Sequence, residues 1–465
     1  MVLKRYFGTK EFYRAVFRIM LPILLQNVIT MFVSLLDNIM VGQVGTEQMS
    51  GVAIANQILF IFNLCIFGGI SGVGIFSAQY YGKQDHDGIR YTVRAKLFVA
   101  VTATILFAVV FLTAGGMLVS SFLHEGNEGL DLVLTYQRGM SYLHLMMLQM
   151  LPFAVSQVFA STLRECNEAM FPMKASIAAT LINLVGNYIL IFGHFGAPKL
   201  GVEGAAIATV IARFAELIIL LIYSIRHTDR FPFLKGLLRS LRIPKDLVKN
   251  MAKKGTPLLL NEVLWAAGMA LLNQCYSVRG LEVVSATNIS STISNLFHAS
   301  AMAMGSTIAI MIGQHLGGGR LKQAEEDDKK LIMLTVLMNI VLGVILAALA
   351  RPLANIYNTS DSVHALAASF MRVIALYLPF MAYTNACYFT LRSGGKTIIT
   401  FLFDSFFIWV VYVPVAFCLV HFTNVPVIPV FFIVNAIEVL KCIVGFFMLR
   451  SRKWIVNLVG TKETS

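Results

Sequence analysis

Charged side chains are scarce in this chain of 465 residues, where Asp, Glu, Lys and Arg together make up only 13%. Hydrophobic residues make up 57%, and the mean hydropathy is +0.74. A soluble protein of this size has no use for so much apolar surface, because its exterior must be covered by polar groups. The composition therefore argues against a soluble globular protein.

Motifs for catalysis and for metal binding are also missing. The six cysteines form no CxxC pair and no Cys/His cluster, and His144 and His298 stand alone. No GxxxxGK[ST] sequence for nucleotide phosphates is present, and no Ser/His/Asp or Cys/His arrangement is defensible. We therefore expect a protein that is not an enzyme, with no metal site and no resident cofactor.

Long apolar runs are what the chain has in quantity. Because backbone groups in lipid must be paired within their own segment, runs of about 18 or more apolar residues predict transmembrane helices. The predicted fold class is an all-α polytopic membrane protein. Its twelve predicted spans are approximately 18–41, 52–78, 97–122, 139–163, 172–193, 204–225, 255–278, 285–315, 331–350, 366–391, 397–420 and 426–449.

The positive charge is distributed unevenly between the two sides of these spans. With the N-terminus placed in the cytoplasm, all but six of the 37 Lys and Arg residues fall in cytoplasmic segments. This asymmetry predicts that both termini are cytoplasmic in a multi-pass protein of the cell membrane. The net charge of +13 then indicates contact with anionic lipid of the bilayer rather than with nucleic acid.

The sequence contains a hidden repeat. When Pro22 is aligned with Pro257 and the two halves are compared without a gap, 16 of the 61 positions from 22 to 82 are identical, and these include matched Pro, Asn, Gln and Gly residues. The basic segment 226–254 separates the halves. We predict an N-terminal six-helix lobe (1–225), a cytoplasmic linker (226–254), and a C-terminal six-helix lobe with a cytoplasmic tail (255–465). Parallel repeats of this kind are typical of transporters whose pseudo-symmetric lobes flank a central cleft.

Acidic residues inside the apolar runs are the main candidates for function, because burying a carboxylate in lipid is costly. Asp37 lies in the last third of the first run, and Gln26, Asn27 and Asn38 give that helix a polar face. We interpret Asp37 as a carboxylate that couples transport to H⁺ or Na⁺. The alternative is hydration at the outer interface.

Two further acids occur in the second half. Glu262 aligns with Asn27, and Asp404 lies early in the eleventh run. We expect a cavity role for both, although Glu262 is alternatively a solvated or structural group and Asp404 a tether for Arg392 or Lys396. The full set of residues predicted to bind substrate or cation is Gln26, Asn38, Glu262, Trp265, Asn273 and Asp404.

Two pairs of opposite charges have the i,i+3 spacing of neighbours on one helical face. They are Arg213 with Glu216, and Glu438 with Lys441. We expect each pair to neutralise itself and to be structural.

Several short motifs occur in the order found in one transporter family. They are DNIMVGQVG at 37–45, SAQYYG at 77–82, GVEGAAIAT at 201–209, IGQHLG at 312–317 and LRSGGK at 391–396. Over nearly its full length the chain resembles a multidrug and toxic compound extrusion (MATE) transporter of the MOP superfamily. The resemblance implies efflux of organic cations, as small-molecule substrates, by a monomer that is driven by H⁺ or Na⁺.

The resemblance also implies roles for individual residues. Asp37 matches the family's helix-1 acid, and Asn183 and Thr209 match its polar partners in one branch, but Asn187 replaces that branch's helix-5 acid. Glu262 matches a helix-7 acid of another branch, whose helix-10 acid is missing here. The coupling ion therefore stays open. The rival functions are a flippase for lipid-linked precursors and a non-transporting membrane scaffold.

Overall fold

The computed structural model describes residues 6–123 and 131–460. Within these ranges the chain forms no strand, and it forms twelve helices long and apolar enough to cross a membrane, which confirms the predicted fold class. They are α1 (Lys10–Gly42), α2 (Thr46–Lys83), α3 (His86–Ser120), α4 (Leu132–Glu165), α5 (Met170–Phe192), α6 (Val202–Arg226), α7 (Lys245–Ser277), α8 (Leu281–Gly317), α9 (Leu321–Ala354), α10 (Asp361–Ser393), α11 (Thr397–Phe422) and α12 (Val427–Arg450).

Several helices begin earlier than their apolar runs. Helix α7 begins at Lys245, so the last part of the predicted linker is helical, and α9 begins at Leu321 rather than near 331. The apolar run marks only the part of a helix that suits lipid. The hydrogen-bonded helix continues into water because Lys, Glu and Asp are compatible with a helical backbone.

The helix limits follow the repeat found in the sequence. With Pro22 aligned to Pro257, both ends of α1 coincide with both ends of α7, and with Thr162 aligned to Thr390, α4 and α10 end at the same position. The matched glycines Gly45 and Gly280 connect the first two helices of each half, and both have positive φ angles, 153° and 117°. Glycine adopts such a backbone without strain, so its recurrence in the repeat has a conformational reason.

The described residues divide into two compact units. The C unit contains the chain up to Leu24, Ala78–Asp85 and the chain from Lys253 onward, and the N unit contains Leu25–Ser77 and His86–Ala252. In the N unit, α6 packs against α4 and α5. In the C unit, α10 packs against α8, α9 and α12. The division differs from the predicted lobes in that the start of α1 and the end of α2 belong to the C unit.

Within the C unit, the end of α2 meets the chain that follows α12. The buried Gln79 side chain donates to the carbonyls of Ser393 and Val456 at 3.0 and 3.2 Å, and it accepts from the Leu458 amide at 2.7 Å. Trp454 is almost fully buried in the same segment. The described part of the predicted tail is therefore packed structure. Residues 461–465 lie outside the described residues.

The basic linker is fastened within the N unit. Arg94 donates to the carbonyls of Leu237, Gly236 and Arg242 at 2.9–3.1 Å. Leu237 is buried, while Leu238 remains 74% exposed. The Arg94 guanidinium thus hydrogen-bonds to three carbonyl groups of one short loop.

Candidate functional site

Asp37 lies in the last two turns of α1 and contacts polar side chains of α5, which in turn contact α6, all within the N unit. The Asn187 amide donates to its Oδ1 at 2.8 Å. The Asn183 side-chain amide is best satisfied in one orientation. In that orientation its NH₂ group donates to Asp37 Oδ2 at 2.9 Å, and its oxygen accepts from the Thr209 hydroxyl at 3.0 Å. The structure thus brings together Asp37, Asn183 and Thr209, and it adds Asn187 to them. We call these four residues the Asp37 cluster.

The local sequence explains why these side chains converge. Asn183 and Asn187 are one turn apart on α5, so they share a face. Small residues let α6 approach that face closely: Gly204 lies against the Leu190 carbonyl, and a side chain at Gly186 would crowd Ala208. The close approach places the Thr209 hydroxyl beside α5.

Within the part of the chain that the structure describes, no direct ion pair neutralises the negative charge of Asp37. Among the described residues, the hydrogen-bond donors to Asp37 are neutral amides. The neighbouring Arg213 is paired with Glu216 at 2.9 Å and lies 5.1 Å from the centre of the Phe153 ring. This confirms the expected i,i+3 pair on α6. A half-buried carboxylate with neutral donors has the chemistry to take up a proton or another cation.

Two polar residues of α1 that were expected to bind substrate lie outside the Asp37 cluster. Gln26 precedes Asp37 by three turns, which is about 16 Å of helix, and its side-chain oxygen accepts from Arg164 at 2.8 Å. Asn38 is exposed. The polar side chains of α1 therefore do not form one site.

A second polar cluster lies within the C unit, between α7, α10, α11 and α12. The Tyr388 hydroxyl and the Arg392 guanidinium lie close enough to Glu262 to interact with its carboxylate. The buried Asn261 amide donates to Tyr388 at 3.4 Å and to Asp404 Oδ2 at 3.1 Å. The predicted acids Glu262 and Asp404 thus belong to one polar network, which we call the Asp404 network.

Asp404 is neutralised by Lys441, a residue expected to pair with Glu438 on its own helix. The Lys441 ammonium lies 2.9 Å from Asp404 Oδ1 and 5.2 Å from the centre of the Phe403 ring. The alternative tether to Arg392 or Lys396 is therefore wrong, and so is the expected Glu438–Lys441 pair. The reason is tertiary: α11 and α12 meet at this level and bring in a carboxylate that helical spacing does not show.

Glu438 has different partners. Its two carboxylate oxygens accept from the hydroxyls of Thr384 and Tyr412, and its side chain is buried. Asp404 and Tyr412 both lie in π-helical turns of α11, Leu402–Phe406 and Ile408–Tyr412. Such wide turns are common at functional sites.

The remaining predicted residues of the second half lie apart from the Asp404 network. Asn273 is exposed three turns beyond Glu262, about 16 Å along the helix. Trp265 is 38% exposed. Neither makes a side-chain hydrogen bond among the described residues.

Sequence reasoning missed three members of the Asp404 network: Asn261, Tyr388 and Lys441. A signal for Asn261 was present, because it adjoins Glu262 and aligns with Gln26 in the repeat. Tyr388 precedes Arg392 by one turn of α10 and so shares its face. Nothing local distinguishes Lys441 from a lysine that pairs with Glu438 on its own helix.

The family model MatE matches residues 22–189 and 257–418, one segment in each half of the chain. The chain belongs to the MATE family. Its members are multidrug efflux transporters, so the protein is a transporter of small molecules and not an enzyme, and it is a multi-pass membrane protein.

Named relatives agree with this assignment. The chain is 23% identical to the probable multidrug resistance protein NorM of Thermotoga maritima, covering 97% of this chain and 95% of the relative. It is 24% identical to the probable multidrug resistance protein YoeA of Bacillus subtilis, covering 90% and 89%. A solved MATE transporter of the MOP superfamily in an outward-facing conformation superposes with a TM-score of 0.84 at 17% identity, covering 94% of this chain and 96% of that one.

Proposed function

We propose that this MATE transporter is a secondary active antiporter that exports organic cations in exchange for H⁺ or Na⁺ by alternating access. It acts as a monomer in the cell membrane, with both termini in the cytoplasm and no cofactor besides the coupling ion. The observation that carries the proposal is Asp37, an acid in a membrane-spanning helix whose described donors are neutral.

The proposed mechanism is competition for negative charge. A carboxylate held by neutral amides retains its charge, and a proton or Na⁺ neutralises it at that site. Asp37 receives the coupling cation, while Asn183, Asn187 and Thr209 fix its orientation. Glu262 and Asp404 in the C unit contact the cationic substrate. A flippase for polyanionic lipid precursors would need free cationic side chains instead of these acids.

The decisive experiment is ethidium efflux from vesicles containing the full chain, with a pH gradient and a Na⁺ gradient applied separately. We expect one of the two gradients to drive efflux, which identifies the coupling ion. Asp37→Asn should lower this efflux at least tenfold, because the amide carries no charge to exchange. Asp229→Asn, the same change at an exposed acid of the N unit, is the control and should match the wild type.

Two results would contradict the proposal at different points. Efflux by Asp37→Asn at the wild-type rate would remove Asp37 from the coupling step. Failure of both gradients to drive efflux in the wild type would reject antiport altogether.

A further inference from the structure

The acid–base pair on α12 differs from its counterpart in the first half. When the first residues of the two helices, Val202 of α6 and Val427 of α12, are aligned, the two pairs occupy equivalent helical positions with their signs exchanged. Arg213 then falls on Glu438, and Glu216 falls on Lys441. In α6 the pair closes on itself at 2.9 Å, whereas in α12 the lysine contacts Asp404.

Two acids lie near one ammonium in this part of the C unit, and Asp404 is the one in contact with it. Lys441 contacts Asp404, and Glu438 lies one turn away on the same helix as Lys441. The Arg213–Glu216 pair in α6 shows that charged side chains three residues apart at this helical position are able to contact each other. Glu438 is therefore within reach of the Lys441 ammonium as an alternative partner.

Each of the two carboxylates also has neutral donors of its own. Asn261 donates to Asp404 at 3.1 Å, and Thr384 and Tyr412 donate to Glu438. The ammonium is thus able to leave Asp404 without leaving that carboxylate free of hydrogen bonds, which keeps the cost of exchange low.

Both partners of the ion pair remain partly accessible. The Asp404 side chain is 19% exposed and that of Lys441 is 10% exposed. A cation that binds at Asp404 would take the position now occupied by the Lys441 ammonium, beside the Phe403 ring. That ring face suits an organic cation as well as it suits Lys441.

We propose that Lys441 is a tethered competitor for the cationic substrate: it occupies Asp404 in the absence of substrate and transfers to Glu438 when a cation binds at Asp404. The inference rests on the proposed function and assigns the specificity-determining step in the second half. Lys441 sets how strongly a cation must interact with Asp404 in order to bind there. The substrate class it selects is an organic monocation with an aromatic or otherwise polarisable body.

The test is equilibrium binding of ethidium to the purified full chain, read by fluorescence anisotropy without any gradient. Lys441→Gln should bind ethidium at least tenfold more tightly, because Asp404 is then uncompensated; this is about 1.4 kcal/mol. Adding Asp404→Asn to that variant should abolish the gain. Lys249→Gln removes one positive charge from an exposed position on α7 and should bind like the wild type.

A second variant keeps the proposal testable if Lys441→Gln does not fold. Glu438→Gln retains hydrogen-bonding atoms for Thr384 and Tyr412 but no longer offers the ammonium a negative charge. We expect its affinity for ethidium to fall at least fivefold.

The contrary results are specific. Unchanged affinity in folded Lys441→Gln, a gain that persists after Asp404→Asn, or unchanged affinity in Glu438→Gln would each overturn the tethered-competitor inference. None of these results depends on a gradient. Loss of gradient-driven efflux in the wild type would instead reject the proposed antiport.

Discussion

Single residues with buried charge show how the N unit tolerates ions inside a membrane protein. The Lys96 ammonium is fully buried and contacts Glu165 at 2.6 Å, Ser161 at 3.1 Å and Thr162 at 3.2 Å. Every proton of that ammonium therefore has an oxygen partner. Breaking such a pair by removing one member costs more than the pair contributes, since the other charge stays buried.

We therefore predict that Lys96→Met destabilises the protein by about 3–5 kcal/mol. Thermal unfolding in detergent measures the effect. Lys235→Met is the matched control because its partner Asp229 is exposed, and exposed pairs contribute little. An unfolding temperature for Lys96→Met equal to that of the control would show that the buried pair is dispensable.

The acids themselves were predictable at this scale, but their partners were not. Asp37, Glu262 and Asp404 stand out because carboxylates are rare in apolar helices. The motif resemblance added Asn183, which contacts Asp37, and Thr209, which contacts Asn183. The contact between Lys441 and Asp404 joins two different helices, and no local pattern reports it.

Among the elements, α2 and α8 meet at matched glycines inside the C unit. A Cβ on Gly317 would overlap the backbone carbonyl of Gln79, and a Cβ on Gly82 would overlap that of Gln314. Only glycine permits two helix backbones to approach so closely. The repeat explains why the same residue is needed twice.

We predict that Gly317→Ala destabilises the protein by about 1–3 kcal/mol, because the two helix ends must separate to admit the methyl group. Gly115→Ala is the control, since its Cβ would make ordinary contacts 3.6 Å from Leu143 and alanine favours a helix. Thermal unfolding of the two variants side by side gives the comparison. A Gly317→Ala protein as stable as Gly115→Ala would contradict the close approach.

Helix existence was predictable to a useful degree and helix ends were not. All twelve predicted spans correspond to helices, because lipid-compatible length and internal backbone pairing leave no other structure. The ends extend into polar sequence where hydropathy gives no signal, as at the start of α7. The π-helical turns of α11 were also invisible to hydropathy, which averages over a whole segment.

For the whole molecule, the orientation in the membrane decides which side supplies the coupling cation. The excess of Lys and Arg in the linker 226–254 and in the tail predicts a cytoplasmic location for both. The turn between α5 and α6 then lies outside, as does the end of α1 that carries Asp37. The proposed direction of exchange depends on this orientation.

We predict that a cysteine introduced by Lys199→Cys, between α5 and α6, reacts with a membrane-impermeant thiol reagent in intact cells. A cysteine introduced by Lys235→Cys, in the linker, should react only after the cells are broken. A cysteine-free background is required because the chain has six cysteines of its own. The opposite labelling pattern would invert the topology and place Asp37 towards the cytoplasm.

The sequence by itself determined that this protein is a twelve-helix membrane protein with a repeated architecture and a few internal acids. These features depend on hydrophobicity and local hydrogen bonding, both of which act between neighbours along the chain. Only the tertiary structure decided which groups neutralise or orient each acid, because those contacts join helices that are far apart in sequence. Asp37 thus has neutral amides where Asp404 has an ammonium, and that difference separates their proposed roles.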